Sequence, residues 1–160
     1  MKKLLLLPLF VFPFATMQSQ VQSNAAFQMW PGAELQKMEK TLAADAAANA
    51  NRTATIQIAD YPNDLLMIAH READGQAELH ETQVDVFVIQ SGSATLLVGG
   101  VLQGAKTTAP HEQRGGTIVN GAKVKLGQGD LVRIPANTPH QLLLDGSKEF
   151  TYLVVKVKGY

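Results

Sequence analysis

The chain has 160 residues, 46% hydrophobic, 18% charged and 6% aromatic, a length and composition that suit one globular domain. Fourteen basic side chains balance fourteen acidic ones, so no net field draws it to nucleic acid or to an anionic membrane, and neither partner is expected. Cysteine is absent, which excludes disulfides, thiolate nucleophiles, cysteine zinc sites, iron–sulfur ligation and a lipid anchor on an N-terminal cysteine.

At the start of the chain Lys2 and Lys3 precede the apolar run 4–14 (LLLLPLFVFPF), after which residues 15–26 are small and polar. This order reads as a secretory signal peptide. The run is far shorter than the ~20 apolar residues that span a bilayer and contains Pro8 and Pro13, so no stable membrane insertion is expected after cleavage. Ser19 and Val21-Gln22-Ser23 both offer small residues for the cut, and the mature chain is expected to begin between Ser19 and Asn24. The domain plan is therefore a signal peptide over 1–23, an N-terminal segment over 24–52 and a barrel domain over 53–160, with a secreted or periplasmic location.

Residues 33–48 (AELQKMEKTLAADAAA) place Leu35, Met38 and Leu42 at i, i+3 and i+7 behind Pro31-Gly32. That spacing predicts an amphipathic helix packed on the outside of the domain. Everything after it reads as strands: 53–59, 65–72, 77–82, 85–90, 93–98, 117–119, 122–126, 131–135, 140–144 and 150–157. Turns are expected at 61–64, at Ser91-Gly92, at Gly99-Gly100 and at 127–130, and Asp74-Gly75 reads as the tight turn of a hairpin. The polar stretch 103–116, with His111 and Arg114, reads as a long functional loop. Many short strands separated by glycine turns predict an all-β fold, an antiparallel sandwich or barrel.

The four histidines are candidates for chemistry. His70 lies beside Arg71 and Glu72 and reads as solvent-facing. Lys123, Lys125, Lys156 and Lys158 alternate with apolar residues and read as solvent faces, while Phe87, Ile89, Tyr61 and Tyr152 read as core. His111 and Arg114 read as solvated loop residues, with pairing of Arg114 to a carboxylate ligand as the alternative. No GxSxG elbow, P-loop or HExxH helix is present.

The segment GQGDLVRIPANTPHQL (127–142) runs from a glycine turn through a strand to a proline bend and a histidine. In Gly129, Asp130, Pro135 and His140 it resembles the second motif of the cupin superfamily, whose histidine is a metal ligand; leucine (Leu144) stands where that motif often has asparagine. Residues 77–92 are similar to the first cupin motif in a degraded form. Asp85 leads VFVIQSG as the acidic ligand does, His80 falls at the second histidine and Glu78 at the first. In the other register His80 comes first and Thr82 second, but the gap to Asp85 is then shorter than the family allows. The resemblance spans about 65–157 and implies an antiparallel double-stranded β-helix, a jelly-roll barrel, with the helix N-terminal to it.

Glu78 and His80 are two apart on one strand and share a face, and the resemblance implies that Glu78, His80, Asp85 and His140 converge inside the barrel. Two imidazoles with carboxylates suit iron, manganese, zinc or nickel. The family implies a small-molecule ligand at such a metal, with oxygenase- or isomerase-like chemistry. Two other readings stay open: a metal-free small-molecule-binding barrel, and a structural homodimer through the sheet edge and the helix at 33–48.

Overall fold

The computed structural model describes residues 27–160; the signal-peptide segment lies outside the described residues. Helix α1 (Gly32–Ala48) forms where expected. Its stripe continues past Leu42 to Ala46, and these two residues are its most buried. It packs on β1 (Thr53–Asp60) and β2 (Asp64–Arg71), which pair as a hairpin around 61–63.

Ten further strands follow: β3 (Glu78–His80), β4 (Gln83–Val98), β5 (Val101–Gln103), β6 (Lys106–Ala109), β7 (Glu112–Arg114), β8 (Thr117–Val119), β9 (Ala122–Gly127), β10 (Leu131–Ile134), β11 (His140–Leu143) and β12 (Phe150–Lys158). The main sheet runs β1-β2-β12-β4-β11-β3-β7-β6, with β9 and β10 also on β4 and every pairing antiparallel. This is the expected all-β barrel with one N-terminal helix. Its centre is filled by Phe87, Ile89, Leu96, Leu126, Ile134, Leu142, Phe150, Tyr152 and Val154.

The expected break at Ser91-Gly92 is instead a bend inside β4. Residues 83–92 pair with β12 and β10, and residues 93–98 pair with β9 and β11, so one strand serves both halves of the barrel. Gly92 makes this possible. It has φ +74°, and a Cβ there would stand 2.1 Å from the carbonyl oxygen of Glu149, the residue just before β12. Gly92→Ala therefore meets both a left-handed backbone and a backbone collision, and is expected to cost about 3 kcal/mol or more in denaturant unfolding.

Two other expectations are corrected. Asp74-Gly75 closes no hairpin, because β2 pairs with β1 and β12 and never with β3. The chain crosses there to the opposite half of the barrel, and the Asp74 carboxylate accepts the Leu144 N–H at 2.7 Å. The stretch 103–116 is not an irregular loop either. Its β6 and β7 form a hairpin with His111 at the tip in the left-handed region (φ 64°), and β7 joins β3.

Candidate functional site

Strand parity and the second-motif turn place the site. On β4 and β12 alternate side chains point inward: Asp85, Phe87 and Ile89 from one, Phe150, Tyr152, Val154 and Lys156 from the other. The turn between β10 and β11 is tied to β3, with the Asn137 N–H donating to the His80 carbonyl at 2.8 Å and the Asn137 amide side chain donating to the Glu81 carbonyl. Asn137 itself takes φ 58°, a region asparagine tolerates. His140 then pairs with Glu78 across β11 and β3. Glu78, His80 and His140 each offer a ligand atom, and these atoms lie within 4.8 Å of one another.

Asp85 sits just behind this group. Its Oδ2 is 3.3 Å from His80 Nε2 and 3.5 Å from His140 Nε2, so its carboxylate reaches both imidazoles. The four residues expected at the site are thus adjacent, in the register that pairs Glu78 with His80. Thr82, the alternative, lies in the turn beyond β3, where its carbonyl accepts the N–H groups of Gly159 and Tyr160.

The outer nitrogens of both imidazoles are engaged away from the cluster. His140 Nδ1–H donates to the Thr138 carbonyl at 3.0 Å, and His80 Nδ1–H donates to Glu112 Oε2 at 2.6 Å. Anchoring Nδ1 in this way fixes the tautomer and turns the Nε2 lone pair of the neutral ring to the ligand side, the arrangement that supports a histidine metal ligand. The rings lie 5.3 Å apart, centroid to centroid.

Sequence reasoning missed Lys156, and the solvent-facing expectation for it is wrong. It is 9% exposed, directly opposite Asp85 in the β12–β4 pairing. Its ammonium donates to Asp85 Oδ1 at 2.7 Å and lies 2.9 Å from His80 Nε2. Around it, Arg114 reaches Glu78 Oε1 at 2.7 Å, and Arg71 lies 3.9 Å from the same oxygen while donating from Nε to the Tyr152 hydroxyl. Arg114, expected as a solvated loop residue, is instead on β7 and paired with a candidate ligand. Three carboxylates (Glu78, Asp85, Glu112) face three cations (Lys156, Arg71, Arg114), and the cluster is neutral when both imidazoles are.

These contacts shift the ionisations. Burial works against a charged Glu78 and a charged Asp85, but the opposing contacts prevail. Hydrogen bonding to His80 and the charges of Arg114, His140 and Arg71 bring Glu78 down to about 2. Contacts with the His140 and His80 imidazoles, with the Lys156 charge, hold Asp85 far below the usual carboxylate range. His80 moves the other way. Burial and the Lys156 ammonium oppose its charge, yet the hydrogen bonds to Asp85 and Glu78 raise it to about 9. Its neutral ring accepts from Lys156 at Nε2, and its protonated ring donates there to the carboxylates. Either way, a metal on His80 must expel a cation from that nitrogen.

A cavity of about 190 Å3 opens beside the cluster, lined by Glu78, Asp85, His140 and Lys156 at its polar end and by Met67, Phe87 and Val154 along its apolar wall. His70, expected in solvent, is buried on the opposite face of β2. It shares a hydrogen bond of 2.7 Å with Thr151 and lines a cleft against Gln36, Glu39, Lys40 and Ala43 of α1. The helix, which covers that face of the sheet, is the reason. His111 stays exposed and contacts Glu81. Lys123 and Lys125 are exposed as expected. Among the described residues, no helix is long and apolar enough to cross a membrane.

A family model described as a cupin domain matches residues 114–156, which include β10, β11 and most of β12. No curated protein matches the chain. Among solved structures, the chain is similar to an uncharacterized conserved protein with a double-stranded beta-helix domain from Klebsiella pneumoniae, 16% identical over 67% of this chain and 77% of that one, TM-score 0.50. It is also similar to a protein from Thermus thermophilus, 17% identical over 69% of this chain and 87% of that one, TM-score 0.51. A predicted oxalate decarboxylase from Thermotoga maritima is 12% identical over 66% and 80%, TM-score 0.50. At these identities the likeness shows the fold.

Proposed function

We propose that this chain, a double-stranded β-helix barrel with a cupin-domain match over residues 114–156, is an exported protein whose barrel binds a small organic molecule at a divalent metal held by Glu78, His80 and His140. One observation carries this reading: both imidazoles are anchored through Nδ1 from outside, which turns their Nε2 atoms toward the Glu78 carboxylate. Two imidazoles and one carboxylate leave coordination positions open and suit iron, manganese, zinc or nickel. Bound there, the ion would supply Lewis acidity to an oxygen of the ligand, in keeping with oxygenase- or isomerase-like chemistry.

The chain's own residues would do the rest. The cavity beside the cluster limits the ligand to a small molecule. Phe87, Met67 and Val154 give it a dry wall, and Tyr152 is held in orientation by Arg71. Arg114, on the β6–β7 hairpin, holds Glu78 in place from the outer side. Export rests on the sequence of residues 1–26.

A metal-free reading has its own support, because Lys156 already supplies a positive charge to Asp85. Elemental analysis of the protein purified without a histidine tag decides between the two. About one equivalent of iron, manganese, zinc or nickel is expected. Less than about a tenth of an equivalent, with none taken up on dialysis against these ions, overturns the metal reading in favour of a metal-free binding barrel.

A further inference from the structure

Lys156 stands closer to His80 Nε2, at 2.9 Å, than either neighbouring carboxylate does, at 3.3 Å for Asp85 and 3.4 Å for Glu78. A metal on His80 needs Nε2, the atom against which this ammonium is packed. A divalent ion would also add two positive charges to a cluster whose carboxylates are already matched by Lys156, Arg71 and Arg114. Lys156 is held deep in the barrel by its β12 backbone, directly across from Asp85, so it is a fixed part of the site and no visitor from the surface.

We propose that Lys156 is a built-in competitor for the metal: its ammonium occupies the cation position between His80 and Asp85 in the metal-free protein, and must withdraw from His80 before a metal is bound there. The proposal rests on the metal reading above. It assigns different roles to the two acidic residues of the degraded motif. Glu78, whose carboxylate meets the two imidazoles, is the ligand. Asp85 is a positioning residue that receives the displaced ammonium on Oδ1 and so keeps the charge inside the barrel compensated. Metal affinity is therefore set below what two imidazoles and a carboxylate would give without the lysine, since a cation in contact with the site opposes a second one.

Lys156→Met keeps a side chain of similar length and removes the charge. A chelator-stripped protein titrated with zinc against a chromophoric chelator, at one fixed neutral pH, reads the effect. Lys156→Met is expected to bind zinc at least about tenfold more tightly than the unsubstituted protein, about 1.4 kcal/mol; a lysine that served only to hold the fold would lower affinity when removed. Should this variant fail to fold with Asp85 unpaired, the comparison passes to Asp85→Asn and Asp85→Asn/Lys156→Met, which lack the buried carboxylate charge. The double variant is expected to exceed the single one by a similar factor. If the unsubstituted protein binds zinc and removal of Lys156 gives equal or weaker binding in the folded pair, the competitor proposal is overturned while the metal reading stands. If none of the folded proteins binds zinc, both fall.

Discussion

His140→Ala is expected to lower zinc affinity by about a hundredfold or more, while His70→Ala leaves it within about twofold. The two histidines are both buried, so burial cannot separate them; their surroundings do. His140 has Nδ1 on the Thr138 carbonyl and Nε2 among Asp85, His80 and Glu78, whereas His70 faces Thr151 and the helix on the other side of the sheet. Competition titration of both variants with the same chelator checks this. Equal affinity in the two would mean that the turn carrying His140 has a purely structural role.

Asp85→Ala is expected to destabilise the metal-free protein by about 3–5 kcal/mol, the range found when one member of a buried ion pair is removed. Asp85 is 3% exposed and is the ammonium's nearest acidic partner. Its loss strands Lys156 and removes a contact from each imidazole. Asp85→Asn/Lys156→Met is expected to recover most of the loss, because no unpaired charge is then buried. The pH dependence has a defined sign. Asp85 titrates below its ordinary 3.8 in the folded protein, so its contribution is complete above that value and declines as the pH falls further. Denaturant unfolding should therefore show the gap between the native chain and Asp85→Ala as constant near neutrality and narrowing only below pH 3.8. A gap under about 1 kcal/mol at neutral pH would show that the charges are solvated rather than buried.

The barrel was legible in the sequence because glycine turns and period-two alternation recur along its length, and the second motif was legible because Gly129, Pro135 and His140 encode a turn, a bend and a delivered side chain in contiguous residues. The same holds for Glu78 and His80, which share a face by parity alone. Lys156 was not legible, since β12 is apolar on both parities. Phe150, Tyr152 and Val154 point inward while Thr151, Leu153 and Val155 point the other way, and alternation cannot tell which face is the interior when both carry apolar residues. The register of Asp85 against Lys156 would have located it, but that pairing joins positions 71 residues apart and has no local signature. His70 was misplaced for a related reason: a neighbouring Arg71 and Glu72 look like solvent, yet the helix lies over that face. Asp74-Gly75 carries the composition of a hairpin, and only the pairing of β2 with β12 shows that the chain continues to the far half of the barrel.

The bend of β4 at Gly92 also governs how the protein comes apart. A sandwich whose two layers share no strand can lose one and keep the other for a time. Here residues 83–98 are hydrogen-bonded to β10 and β12 on one side of the bend and to β9 and β11 on the other, so neither layer can open without tearing the strand it has in common with its partner. The two layers are expected to form one cooperative unit, with the paired amides of β4 exchanging with solvent only through global unfolding. The same sharing makes assembly slow, because β4 must find β12, more than fifty residues further along the chain, before either layer is complete.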